Sequence, residues 1–433
     1  MGYSFRFVHT ADTHLGLNWP VIPARGGAQI PVYGAAFAFI VNKAIEEKVD
    51  FVLHAGDLVE HPRPTIPALR RTFAELRKLK RSNIPFIITK GTHDSSREYF
   101  EKFGEDFLAV LEDEGKVIYV ERSRKGRAYY DLKLGKTIVR IYGLGEYGSD
   151  QRKVLSGFSS SLTRRGADFT ILLIHSGLMD RPYTLGAALS TADLRALRGV
   201  IDYFALGHDH QHFEDRENAI YNPGSPEYCS FKEASTIFYS FDDGKLEEVR
   251  REIKEKGFYL VDVENGEINA RFIKVPTRKV LNVHVVFNEA TPDDVLEGMC
   301  KALELNVKHD GNVILRPIIA GSLAQEYRVY DLRLKEIQES VDALFVEWPL
   351  CLIGEERARR FEISPERNYQ PLLQSYFQKR GWDESSSELI AKLVMDIVRG
   401  LNPSLKSEET KEEARRRVLE KIEKFDLERV KKL

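Results

Sequence analysis

Between Phe5 and His210 short apolar runs alternate with segments of helical periodicity, and this alternation restricts the possible folds more than any other feature of the sequence. The runs FRFVHT, VDFVLHAGD, PFIITKGTHD, VIYVE, TIVRIYGLG, FTILLIHSG and YFALGHDH are almost continuously apolar, as strands covered on both faces are. Two helical stretches separate the first three: Tyr33 to Lys48, with Phe37, Ile40, Val41, Ala44 and Ile45, and Thr65 to Arg81, with Leu69, Phe73, Leu76 and Leu79. Strands and helices in this order predict an α/β protein with helices laid over a sheet. After Asn222 come extended segments, STIFYSFDD, KLEEVRREI and KGFYLVDVENGEI, joined by Asp-Gly and Asn-Gly pairs that favour hairpins. They predict a second sheet, and with it a two-layer β-sandwich flanked by helices.

A chain of 433 residues exceeds what one core supports, so further units are expected. From Pro276 the pattern is strand KVLNVHVVF, helix PDDVLEGMCKALEL, strand GNVILRPIIAG, helix YDLRLKEIQESV and strand ALFVEWPL, a smaller α/β domain. Beyond Gly354 the strand signals stop. Capping boxes at Ser385-x-x-Glu388 and Thr410-x-x-Glu413 precede two amphipathic helices, one with Leu389, Ile390, Leu393, Val394, Ile397 and Val398, the other with Val418, Leu419, Ile422 and Phe425. The expected domains are therefore 1–275, 276–353 and a helical tail, 354–433.

Lys and Arg total 64 against 66 Asp and Glu, so nucleic-acid binding would have to come from local basic patches and not from a global field. The three cysteines, Cys229, Cys300 and Cys351, show no C-x-x-C spacing, which fits a reducing compartment and argues against structural zinc. The N-terminal segment has no basic region followed by a long apolar one, and the most apolar stretch, Phe169 to Met179, is interrupted by His175 and Ser176. A cytoplasmic protein that does not enter membranes is expected.

Histidine and aspartate collect at the ends of the predicted strands. Asp12 and His14 follow the first, Asp57 the second, and His93 and Asp94 the third; His175 ends FTILLIH, and His208 and His210 follow YFALG. In an open α/β sheet ligands lie beyond the carboxyl ends of the strands, so these residues would converge in space. Imidazole and carboxylate without thiolate suit Mn²⁺, Fe²⁺ or Zn²⁺. Two ions about 3.5–4 Å apart serve in-line displacement at phosphorus. His93, beside Asp94, is the natural general acid, because an imidazole can hold or release a proton near neutral pH. The implied chemistry is metal-assisted phosphoester hydrolysis.

The series D-x-H, G-D, G-T-H-D, strand-end His and G-H-x-H resembles the calcineurin-like metallophosphoesterase superfamily. HTADTHLG, AGDLVEHPRP, ALGHDHQHF and NPGSPEYC narrow the resemblance to the SbcD-like nuclease subunit of the double-strand-break repair complex, the meiotic-recombination-eleven family. It implies the metallophosphoesterase fold over 1–275, a DNA-contacting capping domain over 276–353 and a tail that binds an ATPase. It also implies a Mn²⁺-dependent DNA exonuclease and endonuclease, working as a homodimer on broken ends with an SbcC-like coiled-coil ABC ATPase held by the C-terminal helices. Carried over by motif, Asp12, His14 and His210 would hold one ion, Asp57 would bridge, and His175 and His208 would hold the second, with His93 as catalytic acid. Thr92 stands where the family has an asparagine ligand, and its hydroxyl is shorter and more weakly coordinating. Glu60 and His61 compete for the position where the family tends to place a histidine. Candidate DNA contacts are Arg63, the loop residues Arg122, Arg124, Lys125 and Arg127, and Ser225; Arg70, Arg71, Arg77, Lys78, Lys80 and Arg81 form a basic helix face. Leu69, Phe73 and Leu76 face either a dimer partner or the sheet. Two other functions stay open: a DNA-end-binding scaffold with a metal site weakened at Thr92, and a phosphatase or phosphodiesterase of small substrates.

Overall fold

The computed structural model describes residues 2–17, 19, 34–94, 106–120, 129–181, 189–307 and 313–353. The chain forms two units, Met1–Ile353 and Gly354–Leu433. The expected C-terminal helices and the loop with Arg122, Arg124, Lys125 and Arg127 lie outside the described residues.

Within the first unit the apolar runs become two facing sheets. One holds β1 (Ser4–Thr10), β2 (Phe51–His54), β3 (Phe86–Ile88), β4 (Ile118–Tyr119), β13 (Gly257–Glu264) and β14 (Glu267–Lys274), in the order β14-β13-β1-β2-β3-β4. The other holds β5 (Tyr129–Leu134), β6 (Thr137–Leu144), β7 (Phe169–His175), β8 (Tyr203–Gly207), β9 (Phe213–Asp215) and β10 (Ile220–Asn222), in the order β5-β6-β7-β8-β10-β9. Their inner faces share one aromatic-rich core of Phe5, Phe7, Phe51, Phe169, Tyr203 and Tyr259. Phe7 stacks on Phe51 at 4.9 Å and meets Tyr203 edge-on at 5.2 Å, an arrangement that ring quadrupoles favour.

Helices α1 (Ala35–Glu46), α2 (Ile66–Arg81) and α3 (Phe107–Asp113) cover the outer face of the first sheet. Thr65 caps α2 by accepting from the Ala68 N–H, and Pro67 sits in its first turn. Leu76 is fully buried against the sheet and Leu69 and Phe73 pack beside it, so these side chains face the core. Helices α4 (Gln151–Ser159) and α5 (Thr191–Arg195) cover the second sheet through Leu155, Phe158 and Leu194.

A third sheet comprises β11 (Ser235–Asp242), β12 (Lys245–Glu252), β15 (Lys279–Ala290), β16 (Val313–Leu323), β17 (Phe345–Val346) and β18 (Leu350–Ile353), packed on α6 (Pro292–Val307) and the short α7 (Leu334–Glu339). The boundary expected at 275 does not coincide with the sheets. The hairpin β11-β12 was expected in the sandwich, yet β11 pairs in parallel with β15, placing Ile237, Tyr239 and Phe241 opposite Val283, Val285 and Phe287. The next hairpin, β13-β14, returns to pair with β1. The sandwich's second sheet is instead completed by β5, β9 and β10, which carry no strong alternation.

Candidate metal centre

Parallel register sets the site. Thr10 pairs with His54 across β1 and β2, and His175 with Gly207 across β7 and β8, so the strands end together at one rim of the sandwich. Past that rim the loops stay in contact: Asp12 N–H donates to Gly56 O, and His14 N–H to Asp57 O, each at 3.0 Å. Asp12, His14, Asp57 and His208 all take positive φ, between 43° and 87°. Such backbone is unfavourable for L-residues and persists where the surrounding contacts dictate it, commonly at functional sites.

The expected ligands converge, with one exception. Buried Asp12, His14 and Asp57 bring ligand atoms within 4.8 Å of one another. His175 Nε2 lies 3.3 Å from Asp57 Oδ2 and 3.3 Å from His208 Nδ1. His210 Nε2 lies 3.1 Å from His14 Nε2. Thr92 is exposed, and among the described residues no hydrogen bond joins its hydroxyl to the cluster.

Outer partners fix the tautomers. His14 Nδ1 faces Glu60 Oε2 at 2.7 Å, His210 Nδ1 faces Glu233 Oε1 at 2.8 Å, and His175 Nδ1 faces Ala55 O at 2.7 Å. Each of these oxygens only accepts, so each Nδ1 carries a proton, and a ring that gives up its other proton turns its Nε2 lone pair inward. Two lone pairs then face each other at 3.1 Å between His14 and His210. A shared proton or a cation resolves that contact, and imidazoles anchored in this way through the outer nitrogen are what metal sites use. The residues fit divalent ions.

The electrostatics agree. Burial opposes ionisation of Asp57, yet His175, His14 and His93 hold its carboxyl below the usual range. Burial likewise disfavours charge on His175, but Asp57 and Asp12 push it up to about 10. Burial also disfavours charge on His210, and contacts with Cys229 and Glu233 nevertheless hold its pKa well above the ordinary value. A buried cluster that attracts protons this strongly is one that attracts other cations.

His93 and Asp94 occupy different places. His93 N–H donates to Asp57 Oδ1 at 2.7 Å, its Nδ1 lies 3.0 Å from Glu60 O, and its ring stands edge-on to His14 at 4.8 Å. Its side chain is 42% exposed, so it can reach a bound substrate. Asp94, expected to act beside it, is fully buried and accepts from the N–H groups of Asp57, Val59 and Gly91 at 2.7, 3.1 and 2.9 Å. It ties two loops together; burial and the nearby Asp57 push its pKa up to about 7.

The competition between Glu60 and His61 resolves towards Glu60, which contacts both His14 and His93, while His61 Nδ1 accepts from Arg63 N–H in an exposed turn. Ser225 is fully buried among Glu227, Glu233 and Lys256, so it cannot touch DNA. Arg63 and most of the basic face of α2 are exposed. Three residues near the centre have no distinguishing mark in the sequence: Glu233, Lys256 and Cys229. Lys256 is buried and donates to Glu233, Ser225 Oγ and His210 O. A charged pair in a chain rich in charge looks like surface, and Cys229, though it closes the segment NPGSPEYC, has no metal-ligand spacing to another cysteine or histidine.

A family profile described as Calcineurin-like phosphoesterase matches residues 5–212, the span that contains every ligand expected from the sequence. The DNA double-strand break repair protein Mre11 of Methanocaldococcus jannaschii is 28% identical over 79% of this chain and 84% of its own length. Those of Sulfurisphaera tokodaii and Archaeoglobus fulgidus are each 25% identical, over 91% and 96% of this chain and 92% and 94% of their own. Residues 5–212 are a calcineurin-like phosphoesterase domain, and the chain is similar to these repair proteins over most of its length. In a calcineurin-like phosphoesterase the centre at the strand ends is a divalent-metal site. Among the described residues no helix is long and apolar enough to cross a membrane.

Proposed function

We propose that this chain is a metal-dependent DNA nuclease that processes broken ends in double-strand-break repair. One observation carries the chemistry: carboxylates and inward-turned imidazoles converge from four strand ends, with His93, from a fifth, standing exposed beside them. The likeness to repair proteins, which extends well past the residues of the site, supports DNA as substrate.

Asp12, His14 and His210 would hold one ion, Asp57 would bridge, and His175 and His208 would hold the second; manganese suits this oxygen and nitrogen set. When bound, such ions polarise a phosphoryl oxygen and lower the pKa of a water. The chain's own residues do the rest. Asp94 holds the Asp57 loop against the Gly91 loop. Glu60 O engages His93 Nδ1, which leaves Nε2 as the atom that hands a proton to the departing alkoxide. Arg63 and the face of α2 supply phosphate contacts, which give affinity without sequence readout. The partner is a coiled-coil ABC-type ATPase bound through residues 385–430, and the working form is a cytoplasmic homodimer.

Purified protein given linear duplex DNA and Mn²⁺ should cleave it, and His93→Ala should lose about 10²- to 10⁴-fold in kcat while keeping its metal. Hydrolysis of a nitrophenyl phosphodiester with no cleavage of DNA would overturn the nuclease reading in favour of a small-substrate hydrolase. DNA binding with no hydrolysis of either, restored in Thr92→Asn, would make the chain an end-binding scaffold.

A further inference from the structure

Cys229 lies in the segment after β10, and its sulfur comes within 4.8 Å of ligand nitrogens of both His14 and His210. The position is built, not incidental. One carboxylate holds both neighbours: Glu233 Oε1 engages His210 Nδ1 at 2.8 Å, and Glu233 Oε2 accepts from the Cys229 N–H at 3.2 Å. Glu233 is itself buried and anchored by Lys256, so the spacing between Cys229 and His210 is set by a fixed group. Independently, the facing Nε2 atoms of His14 and His210, 3.1 Å apart with both outer nitrogens engaged, mark the place of a cation. A sulfur beside that place changes which cation is preferred, because thiolate favours zinc and its close analogues while manganese keeps to oxygen and nitrogen.

We propose that Cys229 is a third ligand, with His14 and His210, whenever a zinc-class ion occupies this position, so that Zn²⁺ and Co²⁺ gain a sulfur bond that Mn²⁺, held there through oxygen and nitrogen, does not. On binding, the S–H bond breaks, the sulfur's electron pair forms the metal–sulfur bond, and the proton leaves to solvent; nothing is oxidised or reduced. The inference rests on the reading of this cluster as a metal centre and adds a ligand to it.

The full chain is loaded with Co²⁺ and its absorption spectrum compared with that of Cys229→Ser, which retains Cys300 and Cys351. The expected result is a near-ultraviolet sulfur-to-cobalt charge-transfer band that vanishes in the variant, while the visible bands of the imidazole-bound ion persist. In the same variant the Kd for zinc should rise by at least the roughly tenfold that even outer partners of a ligand contribute, with manganese affinity unchanged. X-ray absorption of the zinc-loaded wild type needs no variant: a sulfur scatterer at about 2.3 Å supports the proposal, and only nitrogen or oxygen at about 2.0–2.1 Å overturns it. A charge-transfer band that survives in Cys229→Ser also overturns it. Binding of none of the three ions would overturn the metal-centre reading itself, an outcome distinct from binding without sulfur.

Discussion

His14 is engaged at both ring nitrogens, by Glu60 on its outer side and by the cluster on its inner side, which makes Glu60 a determinant of how the ligand is aimed. Glu60→Ala should lower Mn²⁺ affinity by about 10- to 100-fold, as loss of an outer partner of a histidine ligand does, and Glu60→Gln should recover part of it. Isothermal titration with Mn²⁺ checks this; unchanged affinity in Glu60→Ala would remove the aiming role. His9 shows a different use of the same side chain. Its Nδ1 lies 3.0 Å from Tyr203 Oη and its Nε2 3.0 Å from Leu206 O, joining the two sheets as a neutral ring. Burial, opposed only by the Leu206 contact, pushes its pKa down to about 3. Below about pH 6.5 the unfolded chain therefore binds a proton that the folded chain refuses, and stability falls as pH falls, by about 1.4 kcal/mol per pH unit for this one group, until about pH 3. Denaturant titrations at pH 7, 6 and 5 should show that slope, and His9→Gln should reduce it by one proton's worth. Both histidines are visible in the sequence, but their roles are not equally legible: Asp12 and His14 lie past the end of an apolar run, whereas His9 lies within it. Glu60 was ambiguous by one residue because a loop has no periodicity to fix its register, and Glu233 was hidden because burial of a single carboxylate leaves no pattern.

The elements that carry the site are ordinary strands; what is unusual is how closely their following loops approach. Gly91, after β3, lies so near the next loop that a Cβ there would overlap Asp57 Oδ1 and the Asp57 backbone nitrogen. Gly56, after β2 and at φ +87°, would put a Cβ 2.5 Å from His175 Nδ1 and 2.8 Å from Gly91 Cα. The bridging carboxylate thus sits where two backbones nearly touch, and Asp94 stitches them with three amide hydrogen bonds. Gly91→Ala should displace Asp57, costing about 1–3 kcal/mol as overpacking does, and should abolish the second bound ion. Thermal unfolding and metal content of the variant read the two effects separately; a variant with full metal content would show that the loops can separate without moving Asp57. Apolar runs ending in Asp or His make these strand ends legible. The glycine contacts are not, because they depend on which strands become neighbours.

At the scale of the whole molecule, the chain leaves the sandwich after β10, lays down β11 and β12 in the third sheet, returns for β13 and β14, and leaves again. The hairpins were legible from their Asp-Gly and Asn-Gly turns, but a hairpin does not say which sheet will accept it, and that choice was made by parallel pairing with β15, about forty residues later. A cut at residue 275, where composition suggests a boundary, would leave Ile237, Tyr239 and Phe241 without Val283, Val285, Phe287 and α6 to cover them. Exposing three large side chains costs about 1.5–3 kcal/mol each, a sum comparable to the roughly 5–15 kcal/mol that holds a whole domain together. Residues 1–275 should therefore aggregate or unfold well below the temperature at which residues 1–353 do, even though every expected ligand lies before residue 211. Residues 1–353 should unfold in one transition and bind metal as the full chain does. Calorimetry and metal analysis of the two fragments decide the matter: a soluble 1–275 fragment with the thermal midpoint and metal content of 1–353 would show that the third sheet is an appendage, not a support for the strand ends that form the site.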